Sequence, residues 1–129
     1  MKLNNKKKIS FLDNKNLNNV QKLLKILEYL RDPEYGCAWD VKQSFSSISP
    51  YTIEEAYEVA QAIQDENFDD LKEELGDLLL QVVFLSQIAN EKKLFCFDDV
   101  VNGIKEKLIR RHPQIFEENV NLKTVEEVK

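Results

Sequence analysis

A run of apolar residues between positions 75 and 88 constrains the fold of this 129-residue chain more than any other feature. Its apolar members are Leu75, Leu78, Leu79, Leu80, Val82, Val83, Phe84, Leu85 and Ile88. At helical periodicity these side chains surround the axis on every side, and a helix that is apolar all round is buried on all its faces. A chain this short can hardly wrap one of its own helices completely, so burial by a second subunit is the simpler solution. The run therefore predicts a homo-oligomer, either a homodimer or a larger assembly.

Composition narrows the class of protein. The chain carries 18 Lys and Arg against 23 Asp and Glu, a formal charge of −5, and 43% of its residues are hydrophobic, which is typical of a folded globular protein. The acidic balance argues against specific nucleic-acid binding, because a phosphate backbone requires a concentrated basic surface. No apolar run approaches the ~18–20 residues that span a bilayer. No apolar stretch follows the basic N-terminus, so we expect a cytoplasmic protein without membrane association.

Helical periodicity, interrupted at proline and polar clusters, divides the chain into four predicted helices with short connections. They run from about residue 18 to 32, 49 to 65, 69 to 90 and 97 to 112. Residues 32–50 are predicted to be a loop, and no segment alternates with the period of a β-strand. The sequence therefore predicts an all-α helical domain over residues 18–116, between a poorly ordered N-terminal tail (1–17) and a polar C-terminal tail (117–129).

Two of the predicted helices have expected caps and apolar faces. Thr52-x-x-Glu55 fits a capping box for the second helix, and Asp69 or Asp70 can cap the third. The face of the second helix consists of Ile53, Ala56, Tyr57, Ala60 and Ile63. The stripe of the fourth consists of Val100, Val101, Ile104, Leu108 and Ile109. Each helix is expected to pack through its apolar residues.

Two pairs of acids, Glu55 with Glu58 and Glu74 with Asp77, stand three residues apart, a spacing that places both members on one face of a helix. The spacing alone is weak, since composition predicts about four such pairs by chance and four occur. The neighbouring residues distinguish the pair of Glu74 and Asp77 from a chance pair, because Asp77 directly precedes three leucines. Burying a charge in an apolar interior costs several kcal/mol unless the charge is compensated. If the second and third helices pack antiparallel, all four carboxylates can converge.

Four convergent carboxylates without histidine or thiolate would select a hard divalent cation such as Mg²⁺, Mn²⁺ or Ca²⁺. The alternative is a solvated acidic face with no ligand. A di-iron bundle is excluded, because it requires Glu-x-x-His on two helices and His112 is the only histidine.

The order of the acids and of the blocks around them resembles a known family. Glu54-Glu55-Ala56-Tyr57-Glu58 followed by Glu74-Leu75-Gly76-Asp77 is similar to the EExxE…ExxD signature of the MazG-type all-α nucleoside triphosphate pyrophosphohydrolases. The similarity extends from about Val20 to Phe116. It includes the blocks Leu30-Arg31-Asp32-Pro33-Glu34, Gly36-Cys37-Ala38-Trp39-Asp40, Gln43-Ser44, Ser49-Pro50-Tyr51-Thr52, Asp69-Asp70-Leu71 and Arg110-Arg111-His112-Pro113. The resemblance implies a four- to five-helix bundle of that family's type, assembled as a homo-oligomer.

The same resemblance implies an activity and a set of ligands. The expected reaction is hydrolysis of a nucleoside triphosphate to the monophosphate and pyrophosphate, serving nucleotide-pool housekeeping. The expected cofactor is Mg²⁺, with Mn²⁺ as a substitute. The implied metal ligands are Glu55, Glu58, Glu74 and Asp77.

Further residues receive expected roles around these ligands. Glu54 is expected to orient the attacking water or to support a metal ligand, or else to lie exposed on the surface. Lys107 and Arg111, with Arg110 adjacent, are expected to contact phosphates; the alternative is that they complement the helix dipole. Trp39 is expected either to stack on a base or to anchor its loop.

Lys42 is a weaker candidate for substrate contact. The chain departs from the family at Ala38, where proline is usual, and its last residues resemble the start of a segment that in the family continues into a Trp and a Lys. These departures leave a second hypothesis open: a catalytically weak or inactive helical module that binds nucleotide or metal for regulation.

Overall fold

The computed structural model describes residues 10–118, and in this range it contains α-helices and no strand. The helices are α1 (Asn19–Leu30), α2 (Ala38–Lys42), α3 (Phe45–Gln64), α4 (Phe68–Glu91), α5 (Phe97–Arg111) and α6 (Pro113–Phe116), preceded by a 3-10 turn at Phe11–Asp13. The predicted all-α class is confirmed. None of these helices combines the length and apolar composition needed to cross a membrane.

Helices α3 and α4 form a long hairpin that organises the rest of the chain. Only residues 65–67 connect them, and so short a connection makes the two helices antiparallel neighbours. The turn passes through Glu66 in the left-handed region, at φ 53°. Asn67 then caps α4, because its side-chain oxygen accepts a hydrogen bond from the backbone N–H of Asp70 at 3.2 Å. The predicted caps Asp69 and Asp70 are therefore wrong; both lie in the first turn, where acids favour the helix dipole.

Helix α3 begins at Phe45, about four residues earlier than predicted. Ser44 and Ser47 cap it reciprocally: the Ser47 N–H donates to Ser44 Oγ at 3.2 Å and the Ser44 N–H donates to Ser47 Oγ at 2.8 Å. Pro50 lies inside the helix. Thr52 is not a cap; its hydroxyl donates to the Ile48 carbonyl at 3.4 Å, one turn back. The loop predicted for residues 32–50 is wrong in part, because it contains α2 and the first turn of α3.

The core lies where α1, α3 and the C-terminal half of α4 meet. It consists of Leu27, Ile48, Val83, Phe84 and Ile88, each at most 3% exposed. Burying side chains of this size contributes about 1.5–3 kcal/mol each. The hairpin therefore rests on α1 through one end of α4, and its other end projects beyond that core.

Burial of α4 on every side is not achieved within one chain. Leu75 and Leu79 are 49% and 41% exposed, although Val83, Phe84 and Ile88 farther along the helix are buried. The predicted apolar face of α3 is exposed as well, with Tyr57 at 72%, and no residue of α5 is buried. These surfaces are available to a partner.

The N-terminal tail expected over residues 1–17 is described only from residue 10 onward. Phe11 is buried and its ring lies 5.3 Å from that of Tyr29 on α1, so folded structure begins before Asn18. Within the C-terminal tail expected over residues 117–129, the structure describes only Glu117 and Glu118. The segment similar to a longer family segment lies outside the described residues.

Candidate metal centre

The hairpin sets the acids of α3 and α4 opposite each other. Glu55 and Glu58 lie one turn apart in α3, and Glu74 and Asp77 lie one turn apart in α4. The antiparallel arrangement brings the middle of α3 against the N-terminal part of α4. The helix–helix packing on which the predicted convergence depends is therefore present.

Three of the four predicted ligands converge. One carboxylate oxygen from each of Glu55, Glu74 and Asp77 lies within 4.8 Å of the others. Glu55 and Glu74 are partly buried and Asp77 is exposed, so the group sits at the surface of the hairpin with its base covered. Three hard oxygen ligands at this spacing, with an open side, suit a divalent cation that also binds water or phosphate.

Glu58 lies beside this group and is not part of it. Its side chain lines an adjoining depression of about 180 Å³ on the other side of Glu74. The remaining lining residues are Gln61, Ala62, Asp65 and Asp70. Glu74 thus borders both the convergent oxygens and the depression that Glu58 enters.

The arrangement of these acids disfavours the charged form of the Glu55 carboxyl. Burial raises the pKa of Glu55 above its ordinary 4.5, and the negative charge of Asp77 raises it further, followed by the neighbouring carboxylates of Glu74 and Glu54. Glu55 Oε2 is inaccessible to solvent and has no hydrogen-bond partner. A buried acceptor left without a donor is costly in an isolated chain.

No Lys or Arg among the described residues forms an ion pair with these acids. Over residues 10–118 the one ion pair joins Arg31 to Glu91, which lies at the far end of α4. An orphaned buried carboxylate oxygen and two further carboxylates without an ion pair are the conditions that a bound divalent cation relieves. The residues present therefore fit a metal ion of the Mg²⁺ class.

Gln81 continues the acidic side of α4. It lies one turn beyond Asp77, is 8% exposed, and its Oε1 is buried without a hydrogen-bond partner. Helical spacing predicts that Glu74, Asp77 and Gln81 share one side of the helix. The polar side chains of α4 thus extend from the acids toward the core.

The predicted substrate residues occupy other elements. Glu54 is an exposed neighbour of Glu55. Trp39 and Lys42 lie on α2; Lys42 is exposed, and Trp39 is 51% exposed with its ring meeting that of Tyr51 edge-on at 5.9 Å. Tyr51 belongs to α3, so this contact joins the tryptophan to the helix that carries Glu55.

The three predicted phosphate contacts are exposed in the last turns of α5: Lys107, Arg110 and Arg111. They form no ion pair with any acid of the described chain. The structure therefore does not pair them directly with Glu55, Glu74 or Asp77. They remain free to contact a ligand.

Sequence reasoning gave no role to two residues that the structure connects to this region. Tyr51 contacts Trp39, and Arg31 binds backbone carbonyls in and beside α2. Both stand in blocks that resemble the family, but pairing across the fold is not visible in a linear pattern. The one sequence feature that pointed to such a contact is the position of Arg31 at the end of a predicted helix, where basic side chains bind the last carbonyls.

A helical hairpin with carboxylates gathered on one side defines the class of this protein as an all-α domain with an acidic site. Comparison with known proteins identifies the family. The family model described as the MazG nucleotide pyrophosphohydrolase domain matches residues 43–116, more than half of the chain. The chain belongs to this family.

Relatives and solved structures agree with the family match. A nucleoside triphosphate pyrophosphohydrolase of Escherichia coli K12 is 55% identical over 100 residues, which are 78% of this chain and 38% of that protein. A nucleoside triphosphate pyrophosphohydrolase/pyrophosphatase MazG of Thermotoga maritima is 55% identical over 96 residues, 74% of this chain and 37% of the relative. The crystal structure of a MazG-related protein from Thermotoga maritima superposes with a TM-score of 0.66 at 28% identity, covering 83% of this chain and 90% of that one. The chain thus spans little more than a third of the length of these curated relatives.

Proposed function

We propose that this chain is a Mg²⁺-dependent nucleoside triphosphate pyrophosphohydrolase, which cleaves the bond between the α- and β-phosphates to give a nucleoside monophosphate and pyrophosphate. The observation that carries the proposal is the convergence of Glu55, Glu74 and Asp77 in a domain of the MazG family. The names of the E. coli and Thermotoga relatives support the reaction. We further propose that the enzyme acts on the cytoplasmic nucleotide pool.

The acids of the hairpin have distinct roles in this proposal. Glu55, Glu74 and Asp77 hold the metal, and Glu58 completes the ligand set from the adjoining depression. A divalent cation held by these residues would neutralise charge on phosphate oxygens and lower the pKa of bound water. Mn²⁺ can substitute, since it accepts the same hard ligands.

Other side chains bind substrate and direct the water. Glu54 is next to a ligand and exposed, so it can accept a hydrogen bond from the attacking water and orient it in line with the leaving pyrophosphate. Trp39 offers a half-exposed indole for stacking on the base. Phosphate contacts come from Lys107 and Arg111, with Arg110 and Lys42 as further cations, because phosphates favour Arg and Lys partners.

We also propose that the enzyme is a homo-oligomer, at least a dimer. One chain leaves three apolar surfaces open, on α3, on the N-terminal half of α4 and on α5. Their large side chains are Ile53, Tyr57, Ile63, Phe68, Leu75, Leu79, Val100, Val101, Ile104, Leu108 and Ile109, all at least 37% exposed. Exposed large apolar side chains in this number favour an interface with another protein chain. A second copy of the chain carries the same apolar surfaces. A two-fold symmetric contact would therefore cover the apolar surface of each copy with that of the other.

The reaction is tested with purified protein, Mg²⁺ and a panel of ribo- and deoxynucleoside triphosphates, with pyrophosphate and orthophosphate quantified separately. We expect equimolar monophosphate and pyrophosphate. Asp77→Asn should abolish turnover while the helical circular dichroism is kept, and Glu106→Gln, an exposed acid on α5, is the matched control. Orthophosphate as the sole product contradicts the proposal. Mg²⁺-dependent nucleotide binding without hydrolysis would favour the regulatory module instead.

A further inference from the structure

All three nitrogens of the Arg31 guanidinium donate hydrogen bonds, and these bonds join the ends of three helices. Nε donates to Glu91 Oε2 at 3.1 Å and Nη2 donates to Glu91 Oε1 at 2.7 Å. Nη1 donates to the carbonyls of Asp40, Val41 and Gln43 at 2.7, 3.3 and 2.9 Å. The side chain is 8% exposed, and the guanidinium carbon lies 5.6 Å from the centre of the Phe84 ring.

The positions of these partners explain why arginine is required. Arg31 caps α1 at its C-terminus, Glu91 is the last residue of α4, and the three carbonyls belong to the end of α2 and the residue that follows it. The last carbonyls of a helix have no partner within the helix, and cations favour helix C-termini. A lysine carries one donor atom, so it cannot bind a carboxylate in two places and three carbonyls together.

Helix α2 is short and exposed; besides the Arg31 contacts, the N–H of its N-cap Cys37 donates to the Leu30 carbonyl of α1 at 2.9 Å. Helix α2 is five residues long and none of its residues is buried. A helix of one turn is not stable alone, since nucleation is unfavourable and few hydrogen bonds repay it. Among the hydrogen bonds of the described chain, those from Arg31 are the side-chain bonds that tie α2 to α1 and α4.

The segment held in this way carries Trp39 and Lys42 and leads directly into α3. Gln43, whose carbonyl Arg31 binds, precedes Ser44, the cap of α3. Trp39 in turn meets Tyr51 on α3 edge-on. The guanidinium thus fixes the indole relative to the helix that carries Glu55.

We propose that Arg31, oriented by Glu91, is a positioning residue that sets Trp39 in place for the nucleotide. This proposal rests on the proposed function, because Trp39 contacts substrate only if the chain binds nucleotides. Arg31 itself touches no reacting atom. Its loss should weaken nucleotide binding while the metal centre keeps its chemistry.

Trp39 is the single tryptophan of the chain, so its fluorescence reports on the segment without interference. The variants are Arg31→Lys, which keeps the charge, and Glu91→Gln, which keeps the shape of the partner and removes the ion pair. Glu106→Gln is the control. In both test variants we expect lower Trp39 anisotropy and easier acrylamide quenching, without nucleotide or metal. We expect KM for the nucleotide to rise about tenfold and kcat to stay within about twofold.

The outcomes separate the two proposals. Unchanged Trp39 anisotropy in folded variants overturns the positioning role, as does a looser Trp39 with an unchanged KM, or a loss of kcat at constant KM. If Arg31→Lys does not fold, Glu91→Gln decides by the same measurements. Failure of the wild-type protein to hydrolyse or bind any nucleotide contradicts the proposed function itself, and the substrate role of Arg31 with it.

Discussion

Replacing Glu55 by glutamine should stabilise the protein in the absence of metal and remove most of the stability that Mg²⁺ gives. Glu55 shares its site with Glu74 and Asp77, whose nearest oxygens lie within 4.8 Å, and its Oε2 has no donor. At that distance two like charges repel by about 1 kcal/mol in water and about 3 kcal/mol at the effective dielectric of a protein surface. Glu55→Gln removes this repulsion, so we expect a gain of about 1–3 kcal/mol without metal, or several degrees in Tm.

The assay is thermal unfolding followed by circular dichroism, at one protein concentration because subunit association also affects Tm. With EDTA, Glu55→Gln should unfold above the wild type. With saturating Mg²⁺ the wild type should gain stability as expected for ligand binding, and the variant should gain much less. Glu106→Gln should follow the wild type in both conditions. A variant less stable than the wild type in EDTA, or equally stabilised by Mg²⁺, would contradict charge repulsion and metal binding at Glu55.

The same site predicts a pH dependence of the metal-free protein. The pKa of Glu55 is raised in the folded state, so folding binds its proton more tightly. Its contribution to stability is complete below the unfolded pKa near 4.5 and is lost as pH rises through the folded pKa. The stability advantage of Glu55→Gln in EDTA should therefore grow over that window.

Three further predictions address the remaining surfaces. Lys107→Ala and Arg111→Ala should each raise KM for nucleoside triphosphates about tenfold or more, measured by steady-state kinetics, since each removes a charge-assisted phosphate contact; an unchanged KM contradicts their role. Tyr57→Glu places a charge on the exposed apolar face of α3 and should shift the protein to monomer in sedimentation equilibrium; an unaltered mass contradicts the interface. The hydrogen bond from the Cys96 N–H holds the pKa of Asp99 below its ordinary 3.8, so its contribution is present above that value and is lost as pH falls through the folded pKa. Asp99→Asn should accordingly unfold with less pH dependence in acid, and identical acid transitions would count against the cap.

Hydrophobic periodicity predicted the helices because each helix has an apolar face, but it predicted the ends of the helices poorly. A helix predicted to begin near residue 49 has Pro50 in its first turn, where proline is well tolerated, but in the structure Pro50 lies inside α3. The actual start is set by two serines that cap each other, a pattern without the glutamate of the usual capping box. Asn67 was likewise missed beside two acids that also favour a helix N-terminus.

The candidate site was predictable as far as it depends on spacing. Residues three apart share a face, and a short turn forces two helices to be antiparallel, so the meeting of Glu55 with Glu74 and Asp77 follows. The separate position of Glu58 does not follow, because it depends on the rotation of α3 against α4. Contacts such as that of Arg31 with Glu91, sixty residues away, arise only from the packing of three helix ends.

Anomalous diffraction from crystals containing Mn²⁺ tests whether Glu55, Glu74 and Asp77 hold a divalent cation. We expect a strong anomalous peak between α3 and α4, with oxygens of these three carboxylates at roughly 2 Å from the metal. The peak should disappear in Asp77→Asn crystals grown under the same conditions. A metal bound elsewhere, or three empty carboxylates at saturating Mn²⁺, would contradict metal binding at these residues.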